Sequence, residues 1–560
     1  MKCQFYKLKF LQCGILIFSL LLVVSGQDNG IQLPETYAPW CVVTGVVPDS
    51  FAESLGLQQN DIILSINGVP IHTAKELGVQ RESAANSDIE VLVWRNGSEI
   101  LMKKYFPGGV FGVYTEYVSR GVTLTVEEMN EDLDSLFAFI YEVHPDPYAS
   151  FPESEFRSEK EHLYASIQEE ISGVEFWKMI ARFTALIQDG HTRLILPDGD
   201  WHYRKFSGDS INIPLSVLIA REGVYVEQNL STAPLSPGDK ILTINDRDID
   251  TILDYLVQYV SGELRHFRLS QIERNFHQML YQLAGIEPPF SIKVRSVDGT
   301  TSTHILDGVD WYFIEETIDT TPGLATDFIE VPELKTAILR FNVFAEHLPD
   351  FFRSAFRTVN QKDYRFVIID LQDNGGGNSL YADTLMSYIT DKPYRFFGGG
   401  YFKLSRHMLP QFEIFPELQV YESYELGSII DLPEIKPSRP IERETRFSGD
   451  VFCLISNRTY STAVGFAAIL RDFEIGTLVG EETGGIPTTF GDSAYYTLPQ
   501  SSIGVVSSMK FLIRPSGDPT YVMRGLEPDT EVPVTGLDVL EGRDPVLEKV
   551  KRIIDAKLQE

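Results

Sequence analysis

The sequence predicts a multidomain α/β protein. Its 560 residues exceed what one hydrophobic core organises, and 43% of them are hydrophobic, which is enough for several cores. After about residue 311, strand-like runs such as 335–341 alternate with helical patterns such as 348–360, and this alternation is typical of α/β folds. Before it, a β-rich pattern occurs twice, with helical segments between the copies.

The two β-rich segments repeat each other. Residues 57–71 align without gaps on residues 235–249, at a constant offset of 178 positions. The aligned cores read Asp61-Ile-Ile-Leu-Ser-Ile-Asn67 and Asp239-Lys-Ile-Leu-Thr-Ile-Asn245. Each copy resembles the core of a PDZ domain, and the first is the stronger match.

This resemblance predicts a PDZ-like domain over 27–115 and a second PDZ-like module over 206–310, interrupted by a helical insert at 251–283. PDZ domains bind extended peptides by adding a strand to a sheet edge, so the resemblance implies polypeptide partners. Simple scaffolding by one or both modules stays open as the alternative.

Three helices are predicted between the repeats. Apolar residues recur at helical spacing in 126–141, 155–171 and 174–187. We therefore predict a helical region over 116–205, which contains the sequence Asp189-Gly-His191-Thr shortly after its third helix.

A serine stands where a strand-like run meets an amphipathic helix. The run 451–456 leads into Asn457-Arg-Thr-Tyr-Ser461, and a helical pattern follows to Asp472. Unpaired N–H groups and the positive end of the helix dipole can stabilise an oxyanion at such a point. Ser461 is thus a candidate nucleophile, with the N–H of Thr462 as a candidate oxyanion donor. The alternative is that Ser461 only caps the helix.

A glycine-rich loop follows the strand-like run 364–370. Three successive glycines end at Gly377, and a helical pattern begins near residue 381. Glycines leave the backbone free to approach a ligand, so the N–H of Gly376 or Gly377 is a candidate second oxyanion donor. Phosphate binding ranks low, because the loop lacks a Gly-Lys-Ser/Thr ending.

Four motifs in this order resemble those of the tail-specific, or C-terminal processing, serine peptidases. They are Asp370-Leu-Gln-Asp-Asn-Gly-Gly-Gly, Thr459-Tyr-Ser461, Val479-Gly-Glu-Glu-Thr-Gly-Gly485 and Gly525-Leu-Glu-Pro-Asp529. The sequence Asp189-Gly-His191-Thr resembles a fifth signature of the family. The resemblance implies a crotonase-like α/β core over 311–560 and a serine nucleophile at Ser461.

One departure from the family pattern concerns the general base. Members with a Ser-Lys dyad carry a lysine 25 residues after the serine, where this chain has Ile486, and no lysine lies between Ser461 and Lys510. The chain is therefore more similar to the tricorn-core branch, in which a histidine at the position of His191 is the base. A histidine, with an ordinary pKa near 6.5, suits this role at neutral pH.

The acid that would orient this histidine is left open. The tricorn-like branch uses a glutamate shortly before the Gly-x-x-Pro-Asp motif, and the best register here places Val522 there. Asp518 and Glu482 are nearby substitutes that could hold the imidazole tautomer as a triad acid does, or could be solvated loop carboxylates.

Composition and the N-terminus predict an exported protein. Residues 1–26 resemble a signal peptide, with three lysines before the apolar run 13–24, which is short for a permanent membrane anchor. The 48 basic and 79 acidic residues give a net charge of −31, which disfavours nucleic acid as a partner. Beyond the signal only Cys41 and Cys453 remain, expected as buried free thiols and consistent with a periplasmic or secreted enzyme.

The sequence as a whole predicts an exported serine endopeptidase that acts on polypeptides. It implies no cofactor and no metal, because no ligand set with zinc spacing is recognisable. Two alternatives stay open: a catalytically silent peptide-binding scaffold, and an esterase on the same fold. Substrate, cleavage specificity and oligomeric state are not predictable from the sequence.

Overall fold

The structure is a computed structural model. It describes residues 40–559 except 73, 119–120, 198–200, 202–203, 206–207, 318–325, 410–419 and 422. The predicted signal peptide, 1–26, lies outside the described residues. None of the described helices combines the length and the apolar character needed to cross a bilayer.

The first module is an antiparallel sheet flanked by two helices. Its strands are β1 (Trp40–Val46), β2 (Ile62–Ile66), β3 (Val69–Pro70), β4 (Ser87–Arg95), β5 (Ser98–Phe106) and β6 (Val113–Val118), and its helices are α1 (Phe51–Leu55) and α2 (Ala74–Ser83). The strand order is β5-β4-β2-β1-β6, with β3 paired to β2. Alternate residues of β4 (Ile89, Val91 and Val93) are fully buried, as the period of a half-buried strand requires.

The described residues of the helical region include three helices. Its elements are β7 (Thr123–Leu124), α3 (Val126–Val143), α4 (Glu153–Ser166), β8 (Ile171–Ser172), α5 (Gly173–Thr184), a 3-10 turn (Ala185–Ile187) and β9 (Arg193–Leu194). Thr125 and Glu128 form a capping box that starts α3. The predicted second helix ends five residues early, because Ile171 pairs with Leu124 in a short strand.

The second module repeats the strand pattern of the first. It contains β10 (Leu215–Ala220), β11 (Gly223–Asn229), β12 (Lys240–Ile244), β13 (Arg247–Asp248), α6 (Ile249–Leu256), α7 (Arg265–Arg274), α8 (Phe276–Gln282), β14 (Phe290–Arg295), β15 (Thr301–Leu306) and α9 (Trp311–Thr317). The pair Ile244 and Arg247 repeats the pair Ile66 and Val69 at the predicted offset of 178. Helices α6 to α8 fill the predicted insert.

The C-terminal region is an α/β core with two sheets. Its elements are β16 (Thr326–Val331), β17 (Thr336–Phe341), α10 (Leu348–Gln361), β18 (Phe366–Asp370), α11 (Ser379–Ile389), β19 (Gly399–Lys403), β20 (Ile429–Leu432), β21 (Asp450–Ile455), α12 (Thr462–Asp472), β22 (Thr477–Gly480), β23 (Thr489–Thr497), β24 (Gly504–Ile513), β25 (Thr530–Glu531), α13 (Gly536–Glu541) and α14 (Pro545–Gln559). One sheet has the order β16-β17-β18-β21-β22-β25 and is parallel from β17 onward. The other has the order β20-β19-β24-β23.

This topology gathers three segments that are distant in sequence. Strands β18 and β21 are parallel neighbours, so the loops at their carboxyl ends, with the glycines and with Ser461, lie side by side. Strand β9 pairs with β24, Leu194 opposite Val505, and so ties the segment with His191 to the second sheet. The predicted domain boundaries remain predictions.

Candidate active site

Ser461 has the backbone conformation of a constrained turn. It lies between β21 and α12 with φ 54° and ψ −124°, a positive φ that is unusual for a residue other than glycine. Two hydrogen bonds fix the turn to the segment that follows β18. Thr459 Oγ1 donates to Leu371 O at 2.8 Å, and the Tyr460 N–H donates to Asn374 O at 3.0 Å. The Ser461 side chain makes no capping hydrogen bond to α12, so the interpretation of this serine as a mere helix cap is wrong.

The hydroxyl of Ser461 faces His191. Oγ lies 3.0 Å from Nε2, although the two residues are 270 positions apart. The His191 side chain is 13% exposed, so the pair remains reachable from solvent. This distance is within the reach that proton transfer from a nucleophile to a general base requires.

Asp189 supports the histidine segment from the interior. Its side chain is buried and accepts hydrogen bonds from the His191 N–H (2.9 Å), Thr192 Oγ1 (2.6 Å), Ser508 Oγ (2.6 Å) and His144 Nε2 (3.3 Å). Burial alone would raise the pKa of Asp189, but its interactions with His144 and His191 outweigh burial and hold that pKa well below its ordinary value. Asp189 therefore carries a fixed negative charge. Its Oδ1 is 3.7 Å from His191 Nδ1.

A tyrosine and a second carboxylate meet the same ring nitrogen. The Tyr460 hydroxyl lies 3.2 Å from His191 Nδ1 and donates to Glu263, whose two oxygens are 3.4 and 3.3 Å away. The Tyr460 ring stacks on Phe267 at 4.1 Å with an angle of 12° between the planes. A Cβ on Gly190 would collide with this hydroxyl, so glycine is required there.

Burial dominates the protonation of both groups. It raises the pKa of Tyr460 well above its ordinary value, and the nearby charges of Glu263 and Asp189 add to this effect. Burial, followed by the charge of Asp189, raises the pKa of Glu263 to about 7. Tyr460 is therefore neutral throughout the working range, whereas Glu263 titrates near neutrality.

Glu482 and Asp518, the two acids considered from the sequence, form hydrogen bonds with groups other than His191. Glu482 Oε1 accepts from the N–H of Gly525 at 2.7 Å, and Asp518 accepts from the N–H and hydroxyl of Thr520 at 3.0 and 2.6 Å. No hydrogen bond joins either carboxylate to His191, so of the two roles left open for them the structure favours that of loop carboxylates. Val522, at the family's glutamate position, is 49% exposed.

The three predicted oxyanion donors near Ser461 differ in whether their N–H group already has an acceptor. A Cβ on Gly376 would lie 2.7 Å from Ser461 Cβ, so the glycine loop reaches the serine only because it has no side chain. The Gly376 N–H already donates to Asn374 Oδ1 at 2.9 Å. Within the described part of the chain, the N–H groups of Gly377 and Thr462 have no acceptor, and they are the two free donors of the predicted set.

The position of the family lysine is apolar. Ile486 is 2% exposed and packs in a cluster with Leu264, Phe267 and Tyr460. The next lysine, Lys510, forms an ion pair with Asp492 at 2.5 Å. The structure thus leaves His191 as the basic group at the Ser461 hydroxyl.

Three ligand-type side chains do come together around His191. The candidate ligand atoms of Asp189, His191 and Glu263 lie within 4.8 Å of one another, which their sequence spacing could not reveal. The Tyr460 hydroxyl is 3.2 Å from His191 Nδ1 and 3.3 Å from Glu263 Oε2, so a hydroxyl group already bridges these two side chains. We therefore interpret the group as a hydrogen-bonded cluster.

Comparison with known proteins identifies two of the domains. Residues 335–532 match the model described as Peptidase family S41, and residues 42–95 match the model of a PDZ domain. No curated protein matches the chain.

The chain is similar to several solved structures, and two structures of CPAF align with TM-scores above 0.5. Mature CPAF aligns with a TM-score of 0.56 and 16% identity, over 76% of this chain and 97% of that chain. A mutant of CPAF aligns with a TM-score of 0.57 and 15% identity, over 78% and 98%. A photosystem II D1 C-terminal processing protease has a TM-score of 0.39 and 14% identity, over 73% and 94%.

The match over residues 335–532 confirms the predicted peptidase domain, the match over residues 42–95 confirms the predicted PDZ-like domain, and the multidomain α/β fold class is confirmed. At such low identities the CPAF structures establish the shared fold, and the family model identifies the class of enzyme. The chain is a serine-type peptidase that carries a peptidase family S41 domain behind a PDZ domain.

Proposed function

We propose that this protein is an exported endopeptidase that uses Ser461 as nucleophile and His191 as general base. The observation that carries the proposal is the 3.0 Å separation of Ser461 Oγ and His191 Nε2, in a turn whose strained backbone aims the hydroxyl at the ring. A serine that served only the fold would not need this conformation.

The proposed reaction follows serine peptidase chemistry. As Ser461 Oγ attacks the scissile carbonyl, its proton passes to His191 Nε2, and the carbonyl oxygen becomes an oxyanion. The free N–H groups of Gly377 and Thr462 are suited to bind that oxyanion. The imidazolium then returns its proton to the leaving amine, and water hydrolyses the acyl-enzyme with the same histidine as base.

Polypeptide substrates are favoured by the domain composition. A PDZ domain lies before the peptidase core, and such domains bind extended peptide chains. The second PDZ-like module packs its insert against the site: His266 Nε2 lies 3.0 Å from the carbonyl oxygen of Thr483, and Phe267 stacks on Tyr460. The alternative of a catalytically silent scaffold is disfavoured by the Ser461 and His191 geometry.

Active-site labelling tests the proposal. A fluorophosphonate probe should modify the wild type at Ser461, whereas Ser461→Ala should remain unlabelled and should lose the cleavage of internally quenched peptides with blocked ends. Ser387→Ala is a matched control, because Ser387 is a buried serine of the same core whose hydroxyl donates to Thr384 O. A wild type that neither labels nor cleaves would support the scaffold instead.

Export is tested separately. It is supported by the lysines and the apolar run 13–24 of the predicted signal. We expect the protein recovered from the periplasm or medium of a secreting host to begin near residue 27, as N-terminal sequencing would detect. Recovery of the uncleaved chain in the cytoplasm alone would contradict it.

A further inference from the structure

Glu263 is a buried carboxylate that contacts the candidate active site through Tyr460 and Gly190. It lies between α6 and α7 of the second module and is 5% exposed. Its oxygens accept from Tyr460 OH at 3.3 and 3.4 Å, from the Gly190 N–H at 3.4 Å and from Thr489 Oγ1 at 3.4 Å. A carboxylate held by so few and such long contacts gives little stability for the cost of burying it. Its position therefore needs another explanation.

We infer that Glu263, acting through the Tyr460 hydroxyl, is the positioning acid of this site. The inference rests on the proposed function. Three contacts connect the groups in series: Glu263 with the Tyr460 hydroxyl, this hydroxyl with His191 Nδ1, and His191 Nε2 with Ser461 Oγ. The second PDZ-like module thus supplies the acid, whereas the position at which the tricorn-like branch has a glutamate is Val522 in this chain.

The direction of each hydrogen bond in this series determines which nitrogen of His191 carries the proton. When Glu263 is ionised it can only accept, so the Tyr460 hydroxyl donates to it. The Tyr460 oxygen then accepts from His191, which requires the proton on Nδ1. Nε2 is left with its lone pair toward the Ser461 hydroxyl, and this is the tautomer that a general base needs.

Protonation of Glu263 reverses the donor and acceptor roles in this series of hydrogen bonds. A neutral Glu263 carboxyl can donate to the Tyr460 oxygen, and the Tyr460 hydroxyl can then donate to His191 Nδ1. That arrangement favours the proton on Nε2, which removes the base from Ser461. The relay is therefore active above the pKa of Glu263, which is about 7, and impaired below it.

Burial is the main cause of the raised pKa of Glu263, and the charged groups that face it modify this effect. Asp189 raises the pKa further and His191 lowers it. The charge of Glu263 in turn adds to the effect of burial in raising the pKa of the neighbouring Tyr521 and Tyr460. Asp189 is the competing acid, since its Oδ1 is 3.7 Å from His191 Nδ1. However, Asp189 Oδ1 already accepts from the backbone N–H of His191, and Oδ2 accepts from three other side chains. The 3.7 Å between Oδ1 and Nδ1 also exceeds the 3.2 Å between the Tyr460 hydroxyl and Nδ1.

The test uses the rate of fluorophosphonate labelling, which does not depend on knowing the substrate. In this step the Ser461 Oγ–P bond forms, fluoride leaves and the serine proton passes to His191. Tyr460→Phe keeps the ring that stacks on Phe267 and removes only the hydroxyl. At pH 8 we expect labelling to be slower by about 10- to 100-fold in Tyr460→Phe and in Glu263→Gln than in the wild type. This difference should shrink below pH 7, where protonation of Glu263 impairs the relay of the wild type as well.

Matched variants separate positioning from folding. Tyr259→Phe removes another buried hydroxyl of the insert region, and Asp254→Asn removes an exposed carboxylate paired with Arg265; both should label at the wild-type rate. Glu263→Asp retains the charge, so it should keep part of the rate and a pH-dependent limb. Circular dichroism and thermal unfolding at the assay temperature confirm that each variant is folded.

Each outcome is decisive. Folded Tyr460→Phe and Glu263→Gln variants with wild-type rates and pH profiles would overturn the inference and leave Asp189 as the orienting acid. Failure of the wild type itself to label would instead refute the proposed function. A loss in Tyr460→Phe alone, with Glu263→Gln unchanged, would also overturn the assignment of Glu263.

Discussion

Glu263→Gln should make the protein more resistant to unfolding at neutral and alkaline pH. Glutamine keeps the shape of the side chain and removes the ionisable group. The pKa of Glu263 rises from an ordinary 4.5 to about 7 in the fold, which corresponds to about 3 kcal/mol. A buried charge held only by long contacts therefore opposes folding whenever it is ionised.

The pH dependence has a definite sign. Below about pH 4.5 the folded and unfolded states both carry the proton, so Glu263 causes no loss. Between pH 4.5 and about 7 the unfolded chain releases the proton while the folded protein retains it, and stability falls as the pH rises. The free energy of unfolding of Glu263→Gln, relative to wild type, should thus increase by about 3 kcal/mol across this range.

Calorimetry at pH 5 and pH 8 would measure this difference. For a large domain, about 2 °C of thermal midpoint accompanies each kcal/mol, so the variant should gain about 6 °C over wild type at the higher pH. Asp254→Asn is the control, because Asp254 is exposed and its loss should leave the wild-type pH dependence intact. Parallel pH curves for Glu263→Gln and wild type would refute the reasoning.

The remaining predictions concern the immediate surroundings of the histidine. His191→Gln should lower kcat/KM for peptide cleavage at least about 100-fold without unfolding the protein; retained activity would mean that another group is the base. Gly190→Ala should lower kcat/KM and should lower the free energy of unfolding by about 1–3 kcal/mol, because the added Cβ would displace the Tyr460 hydroxyl. An unchanged kcat/KM and an unchanged thermal midpoint would count against the close contact between Gly190 and Tyr460. Asp518→Asn and Glu482→Gln should leave the pH–rate profile unshifted, and a shifted limb in either would restore it as an orienting acid.

The sequence predicted the parts of the site that depend on local structure. The turn before Ser461 and the glycine loop after 364–370 could be recognised, because a strand followed by a helix or by several glycines constrains its own backbone. Their proximity followed from parallel strands sharing one end of a sheet. His191 was recognisable only through the resemblance of its short motif to a known family.

Glu263 could not be predicted in the same way. It is 72 positions from His191, and the insert that contains it shows only helical periodicity, which indicates a structure and no chemistry. Its role depends on how the second module packs against the core, a long-range contact with no local signal. Tyr460 was visible as the middle residue of Thr459-Tyr-Ser461, but its orientation toward His191 depends on the turn and on stacking with Phe267.

The two carboxylates beside His191 have opposite environments, and this separates their roles. Asp189 accepts four hydrogen bonds and remains ionised, so it offers the imidazolium one constant negative charge. Glu263 has only long contacts and gains its charge near pH 7. Two acids whose pKa values are shifted in opposite directions beside one histidine are typical of a site in which each has a different task. The constant charge stabilises the protonated ring, and the variable charge decides which nitrogen carries the proton when Ser461 attacks.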